Sequence, residues 1–215
     1  MLAIAGGKGG CGKTTTAIGL AHAMARNGDT PLVADADIEM PDVHVVADVP
    51  TEPGLRAIAR GQSLETATHR TRLDGVSAAP AAGIDETDLP SALTRLRGWP
   101  GHAIVDCPAG AARDAAVPLR VADRTLLVTT QTRQCVLDTV KTAAMARSLG
   151  APPIGVVFVC ARGAPESPGA PFAARSAFEC PLLGRVPPGP ARPLTAGIVR
   201  SAYDRVAKKI NKRNI

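Results

Sequence analysis

The sequence predicts an α/β fold: a doubly wound, mainly parallel sheet flanked by helices, spread over residues 1–215 as one domain. Three observations carry this prediction. Short apolar runs of strand length alternate with longer stretches of helical periodicity, the pattern of βαβ crossovers. A glycine-rich loop joins the first such run to the first helical stretch. Finally, Lys8, Asp35, Asp37 and Asp106 all follow the ends of apolar runs, and open parallel sheets bind ligands beyond the carboxyl ends of their strands.

The elements follow in order. Leu2–Ala5 reads as a strand, Gly6–Gly12 as the loop, and residues 13–27 as a helix stopped at Asn27-Gly28. Strands are expected at Pro31–Ala34, ending on Asp35, at Val76–Ala79, ending on Pro80, and at Ala103–Val105, ending on Asp106. Thr125–Thr129 is a further strand, and a helix over about 135–149 stops at Gly150. Ile154–Cys160 and Leu182–Val186 are the last two strands. Ala161–Pro171 and Pro187–Pro193 are loops by their glycine and proline content. The closing helix spans about 195–210, with Ile198, Val199, Ala202, Tyr203, Val206 and Ile210 forming its apolar face.

Composition narrows the function classes. The chain is 45% apolar, 20% charged and only 2% aromatic, which argues against aromatic stacking platforms for single-stranded nucleic acid. Its net charge of +6 is unevenly placed. Residues 200–215 hold six of the 25 basic residues and one of the 19 acidic ones, leaving 19 basic against 18 acidic elsewhere. The body is near neutral and the basicity is a C-terminal tail. No apolar run approaches the length of a membrane-spanning helix. The five cysteines include no CxxC pair and read as free thiols of a reducing cytoplasm. His22, His44, His69 and His102 lack metal-ligand spacing. Trp99 reads as a packing anchor, and Asp85, Glu86 and Asp88 as a solvated loop or helix cap.

The loop carries the chemistry. Gly7, Gly12, Lys13 and Thr14 fit G-x-x-x-x-G-K-[ST] between a strand and a helix, the P-loop pattern. Glycines let backbone N–H groups converge on phosphate oxygens, and the helix N-terminus adds partial positive charge. Gly7, Gly9, Gly10, Cys11, Gly12, Lys13, Thr14 and Thr15 are therefore the expected nucleotide cradle. Lys13 would bridge the β- and γ-phosphates, and the Thr14 hydroxyl would ligate Mg²⁺. Only six lysines occur in this arginine-rich chain, and two of them, Lys8 and Lys13, lie in this loop.

With Lys8, the segment Lys8-Gly9-Gly10-Cys11-Gly12-Lys13-Thr14 resembles the deviant Walker A motif of the MinD/ParA family of ATPases. The resemblance implies a P-loop NTPase fold, ATP and Mg²⁺ as ligands, and a Lys8 that reaches the partner's phosphates across an ATP-sandwiched homodimer. Val33-Ala34-Asp35-Ala36-Asp37 resembles the family's DxD segment, which implies that Asp37 orients the attacking water while Asp35 supports the Mg²⁺ shell. Ala103–Gly110 resembles Walker B and switch II, placing Asp106 on the Mg²⁺ shell and a Gly110 N–H near the γ-phosphate. Ala122-Asp123, Thr125–Thr130 and Val136-Leu137-Asp138 look most like the MinD branch, and Leu73–Pro80 and Leu182–Pro187 also fit. The resemblance spans roughly residues 1–190. The sequence departs from it in two places. No Asn ends the sixth strand to read adenine, which leaves Arg162 or the loop opening at Pro187 to pack on the base. Around Pro41-Asp42 a switch I Asn is replaced.

The resulting expectation is a slow, partner-stimulated ATPase that acts as a dimerisation switch in cell division or intracellular positioning. It would be cytoplasmic and peripheral at the membrane, with an unknown activating protein. Two alternatives belong to other classes. One is a partition ATPase that binds DNA nonspecifically, with the basic tail touching DNA or a membrane surface weakly. The other is a metallocluster carrier using Cys107 and Cys135.

Overall fold

The computed structural model describes residues 1–160 and 177–212. Eight strands form one sheet: β1 (Leu2–Gly6), β2 (Leu32–Asp35), β3 (His69–Arg70), β4 (Ser77–Ala79), β5 (Ala103–Ala109), β6 (Arg124–Thr129), β7 (Pro153–Val159) and β8 (Leu182–Val186). Their order is β3-β4-β2-β5-β1-β6-β7-β8. All neighbours pair in parallel except β3 with β4. Among the described residues the helices include α1 (Lys13–Ala25), α2 (Val43–Ala47), α3 (Leu55–Ala59), α4 (Leu64–Ala67), α5 (Leu89–Arg95), α6 (Arg113–Val121), α7 (Arg133–Ser148) and α8 (Gly197–Asn211). The fold class matches the one expected from the sequence.

Strand residues alternate between two buried faces. Leu2, Ile4, Val33, Ile104, Leu126 and Val128 pack with α1, α2 and α8. Leu32, Ala34, Ala103 and Val105 pack under α3 and α5, while Ala3 and Ala5 meet residues of α6 and α7. The central strands are covered on both sides, which is why they read as near-continuous apolar runs in the sequence. β1 lies between β5 and β6. The loop that follows it therefore emerges at the middle of the sheet.

The structure adds elements that periodicity missed. α2, α3 and α4 have only four or five residues each, too few to show a helical repeat. α6 contains Pro118, and β3 is a two-residue edge strand. α1 ends at Ala25, earlier than the expected 27. The Ala161–Pro171 loop lies outside the described residues.

The C-terminal helix corrects one assignment. Val199, Ala202, Tyr203, Val206, Ala207 and Ile210 are buried, whereas Ile198 is 63% exposed. The buried face packs on α1 and β8. The Tyr203 hydroxyl is 3.2 Å from Thr16 Oγ1, and its ring lies where a Cβ on Gly19 would approach to 2.4 Å. Arg26 pairs with Asp204, and Lys209 donates to the Leu183 carbonyl at 2.7 Å. The apolar stripe of the basic tail is thus occupied by the body of the protein, as expected for a docked helix. No helix of the described residues is long and apolar enough to cross a membrane. Trp99 anchors as expected, its indole N–H donating to the Thr30 carbonyl at 2.7 Å.

Candidate nucleotide site

The glycine loop is built against α7 and the end of β5. The Gly7 N–H donates to Thr139 Oγ1 at 3.1 Å, and a Cβ on Gly7 would stand 2.2 Å from the Asp138 and Thr139 backbone. Glycine is required there because the loop lies directly on a helix backbone. The Gly110 N–H donates to the Gly6 carbonyl at 2.9 Å, tying the segment after β5 to the loop. Thr142 Oγ1 donates to the Gly110 carbonyl at 3.2 Å and closes this brace. Gly10 and Gly12 have φ of +73° and +92°, conformations that disfavour a Cβ. Lys8, Gly9 and Gly10 face solvent.

At the start of α1, Gly12 supplies no side-chain cap and no acidic residue occupies the first turn. The first-turn N–H groups of this helix and its partial positive charge are therefore left to an external anion. Lys13 is only 7% exposed, an unusual position for an ammonium group. Thr14 and Thr15 are half-buried beside it, and Thr15 lines a cavity of about 640 Å³ with α2 and residues 191–195.

Three carboxylates face this loop. Asp35 and Asp106 are register partners on adjacent strands β2 and β5. Both are buried. Asp35 accepts from the Asp37 N–H at 3.2 Å and from the Val43 N–H at 3.0 Å, so it also fastens the start of α2. Burial pushes its carboxyl up to about 7 against those two donors. Burial also pushes Asp106 up to about 8, opposed by a hydrogen bond from Thr14 and by Lys13, and aided by Asp35. Asp37 is half-buried, accepts from the Met40 N–H at 3.1 Å, and is raised chiefly by burial, with Lys13 opposing.

The Asp106 Oδ1 atom is buried and has no hydrogen-bond partner. An orphaned carboxylate oxygen beside a threonine hydroxyl is a donor set suited to Mg²⁺, which takes one or two protein oxygens and keeps waters and phosphate oxygens for the rest. Thr14 and Asp106 fit that ion directly, with Asp35 behind them.

The structure thus brings together Gly7, Lys13, Thr14, Asp35, Asp37, Asp106 and Gly110. Lys8, Gly9 and Gly10 lie on the open side of the same loop. Cys11 is buried and its side chain points away from the cradle, with Sγ 3.7 Å from the Val128 carbonyl. Pro187 follows β8 and is half-buried; Arg162 lies outside the described residues. Thr139 and Thr142 were not singled out from the sequence. Their signal was two threonines, three apart, on the inner face of an alanine-rich helix. Cys107 and Cys135 pack in different apolar clusters, and among the described residues no group of three or more His, Cys, Asp or Glu is arranged to hold a metal ion.

A parallel sheet with a glycine loop between its central strand and first helix, and aspartates at the ends of neighbouring strands, is the fold of the P-loop NTPases. Residues 2–188 match the CobQ/CobB/MinD/ParA nucleotide binding domain, and the chain belongs to that family, in its MinD-like branch. An ATP-binding protein of Methanocaldococcus jannaschii is 32% identical over 73% of this chain; the chain spans 63% of that relative's length. Among solved structures, the septum site-determining protein MinD complexed with Mg-ADP from Pyrococcus horikoshii superposes with a TM-score of 0.86 at 25% identity, covering 99% of this chain and 96% of that one. The cell division ATPase MinD of Pyrococcus furiosus gives 0.84 at 28% identity, covering 99% and 98%.

Proposed function

We propose that this protein is a Mg²⁺-dependent ATPase whose bound ATP holds two copies together and whose hydrolysis releases them, a switch used in cell division or intracellular positioning. The observation that carries the reading is the buried, unpartnered Asp106 oxygen beside Thr14 and Lys13. This arrangement is costly without a bound cation and phosphate, and useful with them. The MinD proteins that share the fold at 25% and 28% identity support the same direction.

Within residues 1–215, read as one ATPase domain, each group has a task. The Gly7–Gly12 loop and the first-turn N–H groups of α1 hold the phosphates. The Lys13 ammonium holds the β- and γ-phosphate oxygens in a site where burial strengthens its field. Thr14 and Asp106 hold Mg²⁺, which when bound neutralises the phosphate oxygens. Asp37 orients water toward the γ-phosphate from a carboxylate that is partly exposed and hence reachable. Gly110, tied to Gly6, aims its segment at the same place. Lys8, exposed on the loop, faces a second copy. The base is left to Arg162 or to the loop opening at Pro187. The protein works in the cytoplasm, peripheral at a membrane, and an activating protein partner speeds turnover.

ATP turnover and size-exclusion elution test this together. Lys13→Ala should abolish turnover, and unchanged turnover overturns the enzyme. Asp37→Ala should elute as a dimer with saturating MgATP and as a monomer without it; elution independent of ATP overturns the switch. A second reading, nonspecific DNA binding, is favoured by Arg200, Arg205, Lys208 and Lys212, all exposed on α8 or just beyond it. Affinity of that kind rests on phosphate neutralisation, so it predicts salt-dependent retention on DNA that is lost when Arg200, Arg205, Lys208 and Lys212 are together replaced by glutamine.

A further inference from the structure

A cavity of about 640 Å³ opens between α2, the start of α1 and the chain leading into α8. That is the size of a small-molecule pocket. It meets the nucleotide site at Thr15, whereas Lys13, Asp35, Asp106 and Pro187 do not line it. Its walls are mostly aliphatic: Val45 and Val46 of α2 line it together with Leu73, Pro193 and Leu194. Leu73 and Leu194 rest on the main core cluster, so the apolar lining is continuous with the core.

The placing of the two valines is unusual. Val43 and Ala47, four apart, turn one face of α2 into the core. Val45 and Val46 are left on the other face, 66% and 37% exposed. A solvated helix face ordinarily carries polar residues, and apolar surface gathered at a recess marks a binding site.

The charge of the cavity is one-sided. Arg72 is neutralised by Asp48 at 2.7 Å. Arg192 and Arg200 also line the cavity, and among the described residues neither forms an ion pair. Both belong to the chain entering α8, while the valines belong to α2.

We propose that this cavity binds a free anionic amphiphile: an aliphatic chain ending in one carboxylate. The chain lies on Val45, Val46, Leu73 and Leu194, and the carboxylate faces Arg192 and Arg200. Other ligand classes match only half of the lining. Inorganic phosphate gains nothing from the aliphatic walls, a neutral hydrocarbon leaves two guanidinium groups unpaired, and a cation meets like charge. The proposal does not rest on the ATP reading, because Thr15 is the one residue that the two sites share.

The test is isothermal titration calorimetry of the full chain, without nucleotide, with sodium decanoate as the probe. One decanoate should bind per chain. It should bind roughly tenfold tighter than octanoate, since each buried methylene strengthens binding about fourfold. Decyltrimethylammonium, which carries the same chain and the opposite charge, should not bind. Arg192→Gln and Arg200→Gln together should weaken decanoate about fivefold. Val45→Asp, which sets a like charge beside the ligand, should weaken it about tenfold or more. These three side chains are exposed, so the variants keep the fold. Leu137→Asp alters another exposed aliphatic, on α7 and outside the cavity, and should bind like the wild type. Binding without saturation at one per chain, equal binding of the cationic chain, or wild-type affinity in Val45→Asp overturns the site. Unchanged affinity in the double arginine variant overturns the anionic class. One-for-one displacement of decanoate by MgATP overturns the proposal as well, because the cavity would then belong to the nucleotide.

Discussion

Replacing Asp106 by asparagine removes a carboxyl whose ionisation the ligand-free fold opposes through burial. In the folded protein burial raises this carboxyl from its ordinary 3.8 to about 8. Between those values the folded state keeps a proton that the unfolded chain has lost. Stability from this group is therefore full below pH 4 and is lost as pH rises through about 8. From pH 6 to pH 8 the loss is about 2 kcal/mol for Asp106 alone. Asp35, raised to about 7 by burial, loses stability in the same direction and somewhat earlier. In urea, 2 kcal/mol corresponds to a midpoint shift of roughly 1 M for a chain of this size. The assay is urea unfolding at pH 6, 7 and 8, with a chelator and without nucleotide. The wild type should lose stability across that range, and Asp106→Asn should retain only the smaller slope that belongs to Asp35. MgATP should flatten the wild-type slope, because the ionised carboxylate is the form that holds the ion. A wild type equally stable at pH 6 and 8, or an asparagine variant with the full slope, would refute the account of a buried and unpartnered Asp106.

Three further outcomes follow from local packing. Gly7→Ala forces a Cβ onto the α7 backbone at 2.2 Å; it should lower stability by about 1–3 kcal/mol and lose nucleotide binding by equilibrium dialysis. Tyr203→Phe removes the hydroxyl paired with Thr16 and should cost about 1 kcal/mol in denaturant unfolding. On α8, Ile210→Ala should cost about 2–5 kcal/mol because Ile210 is buried, while Ile198→Ala should stay within about 0.5 kcal/mol; equal effects would show that α8 does not dock as described.

How much of this was legible depended on element length and on burial. β1, β5 and β6 are covered on both faces, so their apolar runs stand out without any periodicity. α7 and α8, at 16 and 15 residues, were long enough for a helical repeat to show. α2, α3 and α4 were not, and their residues are ordered by what they touch, such as Val43 held by Asp35. Ile198 was assigned to the apolar face because it is large. It sits one position before Val199, about 100° round the helix, while small Ala207 takes the buried place. In the site, the spacing of the loop pointed to Lys13 and Thr14, because phosphate chemistry fixes their separation, whereas Asp106 was marked by its place after an apolar run and by the resemblance of its segment to Walker B. The dependence of Gly7 on α7 and the brace from Thr142 to Gly110 arise only when β1 and β6 become neighbours. No local pattern encodes such contacts.

The cost stored in the site also explains why its residues resist a purely structural role. A fold selected only for stability would pair the Asp106 oxygen, cap α1 with a serine or aspartate, and keep an ammonium out of the interior. This chain does none of these, although it satisfies buried groups close by: Thr139 bonds Gly7 and the Cys135 carbonyl, and Thr125 bonds the Ala151 carbonyl. Of the buried side-chain atoms without a partner among the described residues, Asp106 Oδ1 lies on β5 and Gln131 Nε2 just past β6. Where β1, β2 and β5 end there stand bare N–H donors, one ammonium and carboxylates raised by burial. A triphosphate with its cation satisfies all of them at once: anion to the donors and ammonium, cation to the carboxylate oxygen. The binding energy of that ligand is then partly the relief of this local cost. Destabilisation of the ligand-free protein at alkaline pH and affinity for MgATP should consequently vary together across substitutions at Asp35 and Asp106.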